Sequence, residues 1–505
     1  MFNSSESVIV ISIVLVAVGI LLWGYNRAKP YGRLGILAWL QSVVLMIPWL
    51  VFFGLFVLGI YLNLVAIIGL LVASAGIYIY LGNRLRAEGI EQMQQRRPTS
   101  NFNTETKIKP TPESPEIPAS EVETVSPSVP DILPIPEEDL KQIQSIFGID
   151  TFFATETIPY QEGAIFKGNL RSQPTEAHDR LSAKLQEKLG EKYRLFLVES
   201  PEGRPTIIVL PSSNDPQPAT LTQKNLAIVL LVTTIATSLE AAGLLLGFDW
   251  FSDLGRFKEA LPIAGGLWSI LVAHEIGHWI FAKRYNVRLS WPYLIPSWQI
   301  GSFGSITRFE SLIPNRSVLF DVAIAGPAFG GLISLVLLVL GLILSQPGSL
   351  FQLPTSFFQG SVLVGTLAKT ILGDALQNSI VDVHPLTIVG WLGLVINALN
   401  LMPAGQLDGG RIVQAIYGRK TARRTTIATL IVLGFVAIFI PSNPIPLYWG
   451  IIILFLQRDL ERPSLNELTE PDDARAAWGL LALFLMLATL IPLNPALAGT
   501  LGIGG

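Results

Sequence analysis

The residues best placed to do chemistry are His274, Glu275 and His278, in the run Leu271-Val-Ala-His-Glu-Ile-Gly-His-Trp-Ile. On a helix, residues four apart lie one above the other, about 5–6 Å between Cβ atoms. Two imidazoles at that spacing can share one zinc ion at roughly 2.0–2.1 Å each. Glu275 lies one residue round, near enough to take a proton from an attacking water without being a ligand. The competing reading is a polar pair that bonds neighbouring helices. A carboxylate and two imidazoles inside one apolar span are costly, however, and such groups mark function.

Two histidines do not close a hydrolytic zinc site, which ordinarily has three protein ligands. Only two other histidines exist, His178 and His384. His178 lies among charged residues and reads as a surface histidine. Asn400-Leu-Met-Pro403-Ala-Gly-Gln-Leu-Asp408-Gly409-Gly410 ends an apolar span and offers one carboxylate, Asp408. Asp408 could supply the third ligand, cap the following helix, or do both. His384 competes, but it lies sixteen residues before Asn400, roughly 24 Å of helix away. Asn400 itself reads either as an interhelical hydrogen bond or as a donor to a developing oxyanion.

These residues must be held by helices in lipid. The chain has 505 residues, of which 14% are Asp, Glu, Lys or Arg, and a mean hydropathy of +0.50. An average soluble protein carries roughly 25% charge. About half of the charged residues fall between Arg84 and Asp215. The chain therefore reads as an all-α multi-pass membrane protein with one small soluble α+β insert. The net charge of −3 gives no global field for nucleic acid. The absence of cysteine excludes disulfides, iron–sulfur clusters and thiolate zinc sites.

The divisions expected are an anchor region (1–95), a Pro-rich linker (96–136), the insert (137–213), an intramembrane core (224–460), and a C-terminal loop and helix (461–505). Anchor spans are expected near Val8–Trp23, Ile36–Gly59 and Asn63–Gly82. The first lacks a basic leader and a small-residue cleavage site, so it reads as an uncleaved anchor. No transit-like extension precedes it, an expectation of bacterial or cyanobacterial origin and of a plasma or thylakoid membrane. The insert reads as helix Glu138–Phe147, a strand pair within Phe152–Gly168, helix Pro174–Leu189, and strands Tyr193–Glu199 and Pro205–Leu210. Core spans are expected at Leu226–Phe248, Leu261–Arg284, Val318–Ser345, Leu386–Met402, Thr425–Ile440, Leu447–Leu456 and Trp478–Ile491. Basic residues after the second and fourth put both motifs on the same side as the insert. Leu289 to Glu310 is too broken for a lipid-facing helix, and reads as a re-entrant hairpin that lines a wet cavity. Its edge could pair with an unwound substrate. Gly326 and Gly330, four apart, permit close helix packing against the histidine span.

The pairing of His-Glu-Ile-Gly-His in one span with Asn-x-x-Pro-x-x-x-Leu-Asp-Gly in a later one resembles the site-2 protease family of intramembrane zinc metalloproteases. Gly301-Ser-Phe-Gly-Ser-Ile-Thr-Arg-Phe-Glu, Pro314-Asn-Arg and Phe320-Asp-Val-Ala-Ile-Ala-Gly-Pro are similar to its EGY-like branch of chloroplasts and cyanobacteria. The resemblance implies a site-2-protease-like helical core, zinc on His274, His278 and Asp408, Glu275 as general base, and transmembrane protein substrates in the bilayer. The rival class is a transporter or channel with an intramembrane His/Glu/Asp ion path. Such a protein needs paths to both faces, whereas both motifs here converge near one.

Overall fold

The computed structural model describes residues 135–505, except 161, 201, 441–442 and 504–505, together with scattered residues between 24 and 84. The chain divides into two compact units, Met1–Ser126 and Pro127–Gly505. The described residues of the first unit are helical, and Ser74 donates to the Val44 carbonyl at 2.5 Å. Most of the linker and most of the three anchor spans lie outside the described residues.

The second unit opens with the insert. Helix α1 (Glu137–Gln144) is followed by β1 (Phe152–Tyr160), β2 (Gly163–Leu170), α2 (Pro174–Leu189), β3 (Tyr193–Glu199) and β4 (Pro205–Pro211). The strands form one antiparallel sheet in the order β1-β2-β4-β3. Alternation in β3 points Tyr193, Leu195 and Leu197 to one face, where they meet Ile207 and Val209 of β4 and Leu181 and Leu185 of α2. That period-2 pattern against a period-3.6 stripe makes this core legible from sequence.

The membrane core follows: α3 (Leu221–Leu245), α4 (Phe257–Arg284), the hairpin β5 (Tyr293–Ser297) and β6 (Gly301–Ile306), and α5 (Arg316–Leu344). Then come β7 (Phe351–Pro354), α6 (Val362–Leu372), β8 (Ile380–Val383), α7 (Pro385–Asn400), α8 (Asp408–Phe439), α9 (Ile445–Ile452), α10 (Asp473–Leu490) and α11 (Pro495–Thr500). Among the described residues, five helices are long and apolar enough to cross a membrane: α3, α4 with the turn before it, α5, α8 and α10. The protein is a multi-pass membrane protein. Helix α8 is broken at Gly418, whose φ of 79° lies in the left-handed region. The break separates the stretch that starts at Asp408 from one that opens on Arg419, Lys420, Arg423 and Arg424 and turns apolar only after them. The small β7–β8 ribbon and α6, within 351–383, answer to no expectation from the sequence.

The insert is fastened to the core by backbone. Strand β3 is an edge strand, and its Leu197 donates to Leu465 O (2.8 Å) and accepts from Glu467 N (2.9 Å). The same short strip turns its other side to the start of α5: Leu465 N reaches Ile313 O (2.9 Å) and Asn466 N reaches Pro314 O (3.0 Å). Arg316, buried, donates to Ala415 O and Ile416 O just before the break in α8 (both 2.7 Å). The insert and the Asp408 helix thus meet around one strip, and the insert packs at the end of the core that carries the motifs.

Candidate metal centre

Helix α4 stacks His274 and His278 on one buried face, as the four-residue spacing requires. What lets α5 approach them is a pair of glycines at the same spacing. A Cβ on Gly326 would come within 2.2 Å of His278 Nε2, and one on Gly330 within 3.0 Å of the His274 Cβ. The close-packing role expected of Gly326 and Gly330 is what the crossing shows.

Each imidazole is oriented from behind. His274 Nδ1–H donates to Asn397 Oδ1 of α7 at 3.0 Å, and His278 Nδ1–H to Val322 O of α5 at 2.7 Å. Such outer partners fix the tautomer and leave Nε2 as the ligating nitrogen. The two Nε2 atoms stand 3.1 Å apart. Asp408 Oδ2 lies 3.3 Å from the first and 3.5 Å from the second. Tetrahedral ligands at zinc–nitrogen distances of 2.0–2.1 Å are separated by about 3.3–3.4 Å. Three electron-pair donors converging at that separation fit one small divalent cation.

Asp408 does not act as a helix cap. It is the first residue of α8, the capping position belongs to Leu407, and no side chain caps there. The carboxylate is free to face the histidines, and a helix N-terminus favours its charge. The turn that delivers it is tight: a Cβ on Gly409 would lie 1.8 Å from Leu401 O. Arg411, buried, lies 3.8 Å from Asp408 Oδ1, pairs with buried Glu461 (3.0 Å) and donates to Thr307 O of the hairpin segment (2.7 Å).

Glu275 is half-buried, and its ligand atoms and those of the two histidines all lie within 4.8 Å of one another. It is spoken for by the hairpin. Ser305 Oγ donates to one carboxylate oxygen, and Thr307 Oγ1 donates to the other at 3.0 Å. The carboxylate therefore belongs to the hairpin side of the centre, whereas Asp408 faces the nitrogens. The hairpin itself spans the stretch expected, closed at its base by a Leu289–Phe309 bridge.

Asn400 lines the same small cavity as His278, Thr307 and Asp408. Its amide nitrogen donates to Ile396 O (3.0 Å) and, at 3.5 Å, to Phe303 O of the hairpin. In this arrangement it anchors the hairpin to α7. His384 caps the far end of α7, accepting from Leu386 N at 3.2 Å, and is not brought to the centre. His178 departs from its expected surface position. Its side chain is only 12% exposed, lying against Asp179 and Ser182 in α2. Asn397, Ser305, Thr307 and Arg411 were not anticipated as site residues. Asn397 carried a signal, since it stands three residues before Asn400 on the same helical face of an apolar span.

A family model described as Peptidase family M50 matches residues 262–441, and one described as EGY3 middle domain matches residues 141–218. The chain is 37% identical over 380 residues to the chloroplastic "Probable zinc metalloprotease EGY2" of Arabidopsis thaliana, covering 73% of this chain and 67% of that one. It is 36% identical over 405 residues to the chloroplastic EGY1 of the same plant, covering 72% and 73%. It is 34% identical over 378 residues to the chloroplastic EGY3 of Oryza sativa subsp. indica, covering 70% and 64%. The chain thus spans about two thirds of the length of these relatives. No solved structure matches it. The His-Glu-x-x-His helix and the Leu-Asp-Gly turn both fall inside the M50 match, and the relatives are named as zinc enzymes. The chain belongs to peptidase family M50, the site-2 protease type of zinc metalloprotease, in its EGY branch.

Proposed function

We propose that this protein is an endoprotease that hydrolyses peptide bonds within or next to the transmembrane segments of other membrane proteins. The observation that carries the reading is the convergence of His274, His278 and Asp408 at zinc-ligand separation, with Glu275 beside them and held apart by the hairpin. Zinc held by these three residues would supply Lewis acidity, bringing the pKa of a water to about 7.

The protein's own groups do the rest. Glu275 takes the proton from the attacking water and returns it to the leaving amine. Ser305 and Thr307 hold both of its oxygens, so the carboxylate is placed before substrate arrives. Asn400 can donate to the oxyanion by giving up its long bond to Phe303 O. A groove of about 810 Å³ leads to Glu275 past Leu271, Trp279, Lys283 and Pro292, between α4 and the hairpin. An intact helix shields its scissile carbonyls by hydrogen bonding. A segment unwound in this groove can pair by backbone with the hairpin edge, which holds it extended.

The transporter alternative is not favoured. It needs polar groups leading on to the far face, and His384, at that end of α7, is engaged as a helix cap. The chloroplastic naming of the relatives supports a thylakoid membrane over a bacterial plasma membrane, and membrane fractionation against thylakoid markers checks this. The activity is tested by Glu275→Gln in reconstituted protein. Cleavage of a transmembrane substrate should fall by about 10²–10⁴-fold with zinc content unchanged. Undiminished cleavage would overturn the assignment.

A further inference from the structure

One buried polar group beside the metal centre serves neither the metal ligands nor Glu275. Gln457 is 3% exposed and lines the cavity shared by His278, Asn400 and Asp408. Its side-chain Oε1 is buried and accepts no hydrogen bond. Leaving such an acceptor unmet is costly, so an orphan of this kind calls for an explanation. Other buried polar atoms without partners occur, among them those of Thr387 and Trp268, but Gln457 is the one among them that lines this cavity.

Its backbone, by contrast, is firmly fixed. The Gln457 carbonyl accepts from Gln406 N at 3.1 Å in the turn that delivers Asp408. The contact is so close that a Cβ on Gly405 would fall 1.4 Å from the Gln457 oxygen. Gln457 also ends a π-helical turn, Ile453–Gln457, that continues α9, and such turns recur at functional sites. Upstream, the fully buried Trp449 donates to Leu399 O of α7 at 3.2 Å and holds α9 in place. The main chain is locked to the Asp408 turn while the carboxamide oxygen stays unspent.

We infer that Gln457 is a substrate-binding residue, whose carboxamide oxygen accepts a hydrogen bond from a backbone N–H of the unwound segment beside the scissile bond. The ligand class is the peptide backbone itself, so the contact is independent of substrate sequence. The hairpin edge would register the segment from one side, and Gln457 would meet it at the Asp408 side. This rests on the proteolytic reading.

The test uses the full-length protein in detergent micelles. The probe is a synthetic Leu/Ala-rich transmembrane peptide with a central Gly-Ser-Gly break. Binding is measured by fluorescence on the zinc-loaded Glu275→Gln protein, with and without Gln457→Met, an apolar replacement of similar length. A second peptide set replaces single amides of the break by esters, removing one N–H at a time. Gln457→Met should weaken the all-amide peptide by about tenfold, the worth of one buried hydrogen bond. One ester position should weaken binding equally to the protein that retains Gln457, and the two losses should not add. Zinc content should be unchanged by Gln457→Met, and Tm should not fall, because the replacement removes an unmet buried acceptor. Equal binding by the Gln457→Met protein, or losses that add at every ester position, would overturn the inference and leave Gln457 a residue that meets only water. If the protein with Glu275 restored leaves the all-amide peptide uncut, the proteolytic reading falls and the inference with it. Cleavage without coupling removes the inference alone.

Discussion

The two sides of the metal centre are built in different ways. On the histidine side, regular helices do the positioning. Two imidazoles four residues apart face two glycines four residues apart, and one outer acceptor orients each ring. On the aspartate side, a Pro/Gly-rich turn does it, wedged against Leu401 O, Gln457 O and the Arg411–Glu461 pair. A helix sets distances by its period and needs few supports. A turn has no period, so its geometry comes from contacts that are remote in sequence. The histidine side should therefore tolerate the loss of a support better than the aspartate side.

Three measurements can break or sharpen this contrast. The largest effect is expected from Asp408→Ala, which should lose bound zinc, whereas His384→Ala should keep full zinc stoichiometry. Zinc retained by the first variant, or lost from the second, would reassign the third ligand. Next, Arg411→Met should destabilise the folded protein by about 3–5 kcal/mol, read as a fall in Tm, because it strands Glu461 in a buried site. Adding Glu461→Leu should restore much of that loss, and failure to do so would shift the role of Arg411 from charge pairing to its bond with Thr307 O. The smallest effect is expected behind the histidines. Asn397→Leu should cost about 10–100-fold in zinc affinity, measured by chelator competition, with the fold kept. A loss of zinc affinity larger than that of Arg411→Met, measured by the same competition, would reverse the proposed contrast.

The same contrast explains what the sequence made legible. The insert strands and α2 fall almost residue for residue where alternation and amphipathic spacing place them, because a soluble core writes its faces into polarity. The histidine pair was equally plain, since its spacing is the helical repeat. Asp408 could be named only with its capping alternative open, and the structure closes that question by setting Leu407 at the cap. Asn397 and Gln457 stayed hidden. An amide in or beside an apolar helix has many packing uses, and only the tertiary arrangement shows which imidazole or cavity it meets. The ribbon and helix within 351–383 escaped because a span-by-span reading looks for long apolar runs and passes over short ones.

The strip at Leu465–Glu467 has a consequence for how the protein is made. It completes the edge of a sheet whose own strands lie far earlier in the chain, and it also ties down the start of α5. During synthesis, β3 therefore waits with an unpaired edge while nearly the whole membrane core is inserted. Such an edge is a template for wrong pairing with other chains. The insert can form its hydrophobic core early, but it gains this backbone partner only once the chain has been made through Glu467. Docking of the insert is thus a report that translation has passed through the entire catalytic core.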